Sequence, residues 1–294
     1  MPEPHEPTRW IESPPHRLFR RRRLPVGEVL ARVLIVHGYG DHSGRYIDLM
    51  GWLAARQVAT DAFDFRGHGR SSGKRGHVGT WSEFLDDLRA AMTVTTADAR
   101  ADGISARPLF VLGHSHGGLV AASAGVAGLL SSPGVAGVIL TAPYLRPAER
   151  LSPVWRMIAG VTSRLTPSLR VGNGLSPEMM TSDPAMIEES RQDPLLLRTA
   201  TPRWYTATLA AQARVMERAS RFTLPLLCLI GDADRIADPQ AAQAFVERAG
   251  SGRKAMVLLP GQRHEILREA ARETTFQTIL DWINALIIHG RHIS

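Results

Sequence analysis

The sequence predicts an α/β fold: a mostly parallel central sheet with helices on both faces and a helical cap insertion. Three observations predict it. Apolar runs of strand length alternate with helical periodicities as far as Pro143. About eighty residues of helical character then follow with no strand between them, the mark of a cap over a site. Third, Gly113-His114-Ser115-His116-Gly117 stands between the apolar run Leu109 to Leu112 and the small-residue stretch Leu119 to Leu130. That is Gly-x-Ser-x-Gly at a strand-to-helix turn, the pattern that lifts a serine hydroxyl above the end of a sheet. Gly113 and Gly117 are required where strand and helix approach too closely for a Cβ. The helix N-terminus beneath Ser115 favours developing negative charge.

The elements follow in order. Residues 1–15, with Pro2, Pro4, Pro7, Pro14 and Pro15, read as an irregular arm anchored by Trp10 and Ile11. Arg17 to Arg23 reads as an edge strand with its arginines in solvent. Arg32 to Val36 is the first buried strand, ending in His37-Gly38-Tyr39-Gly40. Arg45 to Gln57 places Tyr46, Leu49, Trp52 and Leu53 at helical spacing. Thr60 to Phe65 is the next strand. Thr80-Trp81-Ser82-Glu83 fits a capping box and opens a helix carrying Phe84, Leu85, Leu88 and Met92. Gly137 to Thr141 is another strand. In the insertion, Leu151 to Leu165 and Thr201 to Phe222 are helical stretches. Leu224 to Ile230 and Ala255 to Leu259 resume the sheet, and Arg272 to Ile288 is the closing helix. The expected division is a core of residues 1–144 and 224–294 with a cap of residues 145–223.

Composition excludes several classes. With 294 residues and 44% hydrophobic content, the chain supports a sizeable core. The net charge of +7 rests on arginine, since Lys74 and Lys254 are the two lysines. Apart from Arg20 to Arg23 the arginines are scattered, unlike the clustered, aromatic-interleaved arrangement of a nucleic-acid binder. Cys228 is the single cysteine and lies in an apolar run, so no intrachain disulfide forms. No stretch approaches the length of a membrane span. Glu28 and Arg32 interrupt what would be a leader's apolar core. A cytoplasmic enzyme is expected, peripheral to membranes at most through its cap.

A serine hydroxyl needs a base to take its proton, usually a histidine oriented by a carboxylate. This fold supplies them in the order Ser, Asp or Glu, His. Gly231-Asp232-Ala233-Asp234-Arg235 and Gly261-Gln262-Arg263-His264-Glu265 each follow a strand end, where parallel sheets place their sites. Ser115, Asp234 and His264 therefore form the candidate catalytic set. Asp232 lies too near its strand to reach far, and Asp238, before Pro239, suits a helix cap. The backbone N–H groups of Tyr39 and His116 are the expected oxyanion-hole donors. The imidazoles of His114 and His116 read as packing. With no His-Glu-x-x-His and one cysteine, neither metal nor cofactor is expected. Gly38-x-Gly40-x-x-x-Gly44 has the wrong spacing for a dinucleotide fingerprint and leaves Ser115, Asp234 and His264 unexplained.

With these residues in view, the chain resembles the monoacylglycerol lipase and lysophospholipase-like branch of the α/β-hydrolase superfamily. The matching stretches are His37-Gly38-Tyr39-Gly40-Asp41-His42-Ser43-Gly44-Arg45-Tyr46, Asp64-Phe65-Arg66-Gly67-His68-Gly69-Arg70-Ser71, Gly113 to Gly118, Gly231 to Arg235 and Gly261 to His264. The resemblance implies Ser115 as nucleophile, His264 as base, Asp234 as its orienting acid, and Tyr39 and His116 in the oxyanion hole. It also implies a cap forming a tunnel for one acyl chain, with a lipid or ester as substrate. Methionine is the family's commonest residue at position 116, so histidine is a departure. In the cap, Trp155, Ile158, Trp204 and Leu209 are expected to line the tunnel. Two other readings compete. A serine aminopeptidase would use acidic cap residues to hold a substrate amine, whereas this cap reads as apolar and arginine-rich. A non-catalytic ligand-binding homologue would not need an intact Ser, Asp and His. Dehalogenases and epoxide hydrolases need an acid where this chain has Ser115.

Overall fold

The computed structural model of the chain describes residues 9–131, 134–149 and 152–291. Pro2, Pro4 and Pro7 of the expected arm, and Leu151, fall outside those residues. The first half of the chain comprises β1 (Arg9–Ser13), β2 (His16–Arg23), β3 (Ala31–Val36), a 3-10 turn (Ser43–Tyr46), α1 (Ile47–Ala54), β4 (Val58–Phe63), α2 (Ser82–Ala101), β5 (Leu109–His114), α3 (His116–Val126) and β6 (Val135–Thr141). The chain then leaves the sheet for α4 (Pro153–Leu165), β7 (Val171–Gly172), α5 (Pro177–Met180), α6 (Pro184–Gln192), β8 (Thr199–Ala200) and α7 (Pro202–Glu217). It returns with β9 (Leu226–Gly231), α8 (Pro239–Arg248), β10 (Lys254–Leu259) and α9 (Arg272–Arg291).

Eight strands form one sheet in the order β1-β2-β4-β3-β5-β6-β9-β10. β2 is antiparallel to both neighbours, and every pairing from β4 to β10 is parallel. Successive side chains on a strand point to opposite faces. Leu34 and Val36 of β3 accordingly join Phe84, Leu119 and Phe245 of α2, α3 and α8 in one core, while Val33 and Ile35 join Leu49, Phe276 and Ile279 of α1 and α9 in the other. With both faces covered, β3, β4, β5 and β9 are buried at every position. Cys228 lies fully buried in β9, and burial pushes its thiol up to about 12.

The amino-terminal region departs from expectation. The arm is a strand over its last residues: Ile11 is 1% exposed, whereas Trp10 is 44% exposed and packs edge-on to Phe19. Because β1 covers it, β2 is not an edge strand. Its arginines are not all in solvent either. Arg20 is 1% exposed, with its guanidinium paired to Asp61 on β4 and Asp98 on α2. Two carboxylates brought in from distant sequence satisfy the buried cation, which would otherwise be costly to desolvate.

The capping box is half formed. The Thr80 N–H donates to the Glu83 carboxylate at 2.9 Å, but the Thr80 hydroxyl meets Ser82 at 2.8 Å instead of a backbone N–H. In the insertion, the two expected helices are α4 and α7. Between them, contrary to the strand-free expectation, β7 and β8 pair antiparallel. Two-residue strands are too short to leave a period-two pattern in a sequence.

Candidate active site

The β5–α3 turn brings two backbones into contact. A Cβ on Gly117 would lie 2.1 Å from the Val36 carbonyl oxygen, and one on Gly113 would lie 2.5 Å from the Gly117 oxygen. Only glycine permits this approach. Ser115 takes φ 52° and ψ −115°, a conformation rare for a residue with a side chain. It is held there from both sides: its N–H donates to the Thr141 carbonyl at 2.9 Å, and its own carbonyl accepts from the Tyr144 N–H at 2.9 Å. The strained turn points the hydroxyl away from the helix and toward the β10 loop.

There the Ser115 hydroxyl donates to His264 Nε2 at 2.8 Å, and His264 Nδ1–H donates to Asp234 Oδ2 at 2.8 Å. The other Asp234 oxygen accepts from the N–H groups of Ile236 and Ala237 at 2.8 and 2.9 Å. Burial works against both charged forms. For Asp234, the attraction of His264, its hydrogen bond and those two N–H groups outweigh burial and hold the carboxyl below its ordinary value. For His264, burial is outweighed by the Asp234 charge and hydrogen bond, and by Glu265 and Asp41, so its pKa is raised above 6.5. The competing acids do other work. Asp238 caps α8 through the Gln240 N–H and pairs with Arg146. Asp232 accepts from the Gly261 N–H at 2.7 Å and so ties the β9 and β10 loops together.

The loop after β3 lies against the elbow, since a Cβ on Gly38 would fall 3.4 Å from the Ser115 Cβ. Tyr39, next in the chain, lines the same cavity as Ser115 and His116. The His116 N–H belongs to the first turn of α3, where a helix offers its N–H groups no acceptor of its own. The His116 ring turns inward, its centroid 4.6 Å from Phe84 and 5.2 Å from Trp81, with neither nitrogen hydrogen-bonded among the described residues. His114 Nδ1–H donates to the Thr141 carbonyl at 3.1 Å, and burial beside His264 pushes it down to about 3. Both imidazoles are therefore neutral packing groups near pH 7.

A buried charge network binds this loop to the histidine. Arg45 Nη2 reaches both Glu265 oxygens at 2.5 and 2.6 Å, and Arg45 Nε lies 3.1 Å from Asp41. Asp41 also accepts from the Tyr46 hydroxyl at 2.8 Å. Burial would raise the Asp41 carboxyl, but Arg45 and the nearby histidines hold it well below the carboxylate range. Arg45 and His42 extend the network into the insertion, to Ser190 and Asp193 at 2.9 and 2.8 Å. Spacing in sequence could not reveal these pairs. The one available signal was the unusual density of polar residues in Asp41 to Tyr46.

A cavity of about 660 Å³ opens over Ser115 and His264. Trp155 and Ile158 from α4 and Trp204 from α7 line it as expected. Tyr144 and Met180, not foreseen, line it too. Leu209 does not. One turn beyond Tyr205, it faces a separate groove with Leu145 and Met216, behind a wall formed by Pro147 and Tyr205. Among the described residues, no group of His, Cys, Asp and Glu is arranged to hold a metal ion.

This sheet, with a serine, a histidine and an aspartate joined at its strand ends, defines the class as α/β-hydrolase. Residues 27–271 match the family described as "Serine aminopeptidase, S33", and the chain belongs to that family. A monoacylglycerol lipase of Mycolicibacterium smegmatis is 30% identical over 253 residues, 85% of this chain and 87% of the relative. An uncharacterized abhydrolase domain-containing protein of Dictyostelium discoideum is 30% identical over 285 residues, 97% of this chain but 29% of that longer protein. The crystal structure of Paleococcus ferrophilus monoacylglycerol lipase is 27% identical, with a TM-score of 0.77 over 92% of this chain and 99% of that one. The chain is thus a serine ester hydrolase of the monoacylglycerol-lipase-like kind.

The raised His264 pKa has a definite sign. The folded state favours its protonated form, so it adds stability that is fully present below pH 6.5 and lost as pH rises through the folded value. The lowered Asp234 pKa adds stability above its unfolded value, lost as pH falls through the folded one. NMR titration of His264 should give a midpoint above 6.5, shifted downward in Asp234→Asn and unmoved in Asp238→Asn. An equal shift in both variants would contradict the assignment.

Proposed function

We propose that the protein cleaves esters of a single acyl chain, such as monoacylglycerols or lysophospholipids, through an acyl-enzyme on Ser115. The observation that carries this reading is the continuous Ser115–His264–Asp234 hydrogen-bond chain at the floor of an apolar cavity. His264 Nε2 takes the hydroxyl proton as Ser115 Oγ bonds to the ester carbonyl carbon. The Tyr39 and His116 N–H groups stabilise the oxyanion. His264 then protonates the departing alcohol, and water repeats the sequence to release the acid. Asp234 stays ionised, fixing the histidine tautomer and stabilising the imidazolium.

The aminopeptidase reading fits the cavity less well. A substrate amine needs a free carboxylate, yet Asp41 and Glu265 both line the cavity already engaged by Arg45. Glu149 stands exposed at the rim, far less desolvated than an amine-binding acid in a cavity wall.

The cavity walls shelter an acyl chain and exclude water from the acyl-enzyme. Each buried methylene is worth about 0.8 kcal/mol, or nearly fourfold in kcat/KM. In a series of p-nitrophenyl and glycerol monoesters, kcat/KM should rise with chain length until the cavity is filled, with a triacylglycerol poorer than its monoester. Ser115→Ala should lower turnover on the order of a thousandfold or more. A flat length profile would overturn the acyl-cavity reading, and near-normal turnover by Ser115→Ala would overturn the mechanism.

α4 also turns Val154, Met157, Val161 and Leu165 outward, each at least half exposed, with Arg156 and Arg164 as its charged residues. Such a face suits contact with a lipid surface at the cavity mouth. Met157 and Leu165 do not line the cavity. Replacing both by serine should raise KM for monoester presented in vesicles and leave hydrolysis of dissolved p-nitrophenyl acetate unchanged. Equal kinetics on vesicles would remove the membrane contact.

A further inference from the structure

The Tyr39 side chain takes no part in the reaction just described, yet it joins the body to the insertion. Its hydroxyl donates to the Gly76 carbonyl at 2.8 Å and lies 3.3 Å from the Thr199 carbonyl of β8. Its ring stacks on Trp204 of α7, with centroids 3.7 Å apart and planes 25° apart. Trp204 has a second ring neighbour, His116, at 5.9 Å. One side chain of the insertion thus meets the rings of both residues whose N–H groups the proposed mechanism gives to the oxyanion. The insertion also grips the loop through its backbone: the Leu197 N–H donates to the Gly40 carbonyl at 2.8 Å.

The loop needs such a grip. Tyr39 stands between Gly38 and Gly40, and Gly40 has φ +76°. Glycine on both sides leaves the Tyr39 peptide many accessible conformations. An oxyanion donor is useful only within about 2.7–3.1 Å of where the charge develops. A flat aromatic contact on the Tyr39 ring removes that freedom without placing a polar group near the reacting atoms.

We infer that Trp204 is a positioning residue: seated on Tyr39 and His116, it holds the oxyanion hole in register, so that the hole is assembled only while the insertion is docked on the body. The inference rests on the acyl-transfer reading above. It makes docking of the insertion a condition for fast chemistry as well as for acyl-chain binding.

The test uses p-nitrophenyl acetate, whose two-carbon acyl group does not reach along the cavity, so lost chain contacts cannot explain a loss of rate. Turnover is expressed per serine titrated with a fluorophosphonate, which removes any misfolded fraction from the comparison. Trp204→Ala should lower kcat about tenfold or more, part of the 10²–10³ lost when a donor is removed, with KM changed less than about threefold. Trp204→Phe, which keeps a ring on Tyr39, should recover most of the rate. Trp204→Leu fills the space without the flat face and should behave like Trp204→Ala, which keeps the test valid if the alanine variant does not fold. Wild-type kcat in Trp204→Leu, or no recovery in Trp204→Phe, overturns the inference while the mechanism stands. Failure of the wild type to hydrolyse the ester overturns the acyl-transfer reading and this inference with it.

Discussion

The contact between the β5 and α3 backbones governs the geometry of the site. Gly113 and Gly117 let the strand end and the helix start touch, and the chain between them has room only for the left-handed turn at Ser115. That turn fixes two things together. It raises the hydroxyl to the His264 imidazole, and it leaves the His116 N–H in the first turn of α3, free of any acceptor from its own helix. The parallel sheet then brings the β9 and β10 loops to the same edge, where Asp232 and Gly261 tie them together and Asp234 meets His264. Strain at Ser115 is held by its backbone hydrogen bonds to Thr141 and Tyr144.

Electrostatics sets the remaining pieces. The Asp41–Arg45–Glu265 cluster is buried, its two carboxylates facing Arg45 and, 3.6 Å from Glu265, Arg268, and it joins the β3 loop, the β10 loop and the insertion. Removing one partner from such a cluster leaves an uncompensated buried charge. The polar residues crowded into Asp41 to Tyr46 therefore hold the β3 loop, the β10 loop and the insertion in one arrangement. The aromatic contact of Trp204 on Tyr39 acts on the same loop from the insertion side.

The sheet and the Ser, Asp and His set were legible because local rules determine them. Apolar runs at strand length, glycines at a tight elbow, and carboxylate and imidazole after strand ends all leave marks within a few residues. That His264 meets Asp234 and Asp238 caps a helix was legible for the same reason, since Pro239 marks a helix start. What failed to show depends on partners far away in sequence. Arg20 reads as a solvent-facing arginine until Asp61 and Asp98 fold onto it. Leu209 shares a helix with Trp204, but its side of the Pro147 and Tyr205 wall is set by how α7 docks. β7 and β8 are too short to have a periodicity.

In the proposed mechanism Ser115, activated by His264, is the group that becomes acylated. Labelling the native protein with a fluorophosphonate and locating the adduct by peptide mass spectrometry tests it most directly, since the reagent reacts with an activated serine. One adduct per chain is expected, on Ser115, forming faster as pH rises through the His264 titration and nearly abolished in His264→Ala. An adduct on another residue, or labelling of Ser115 that is indifferent to His264, would contradict it.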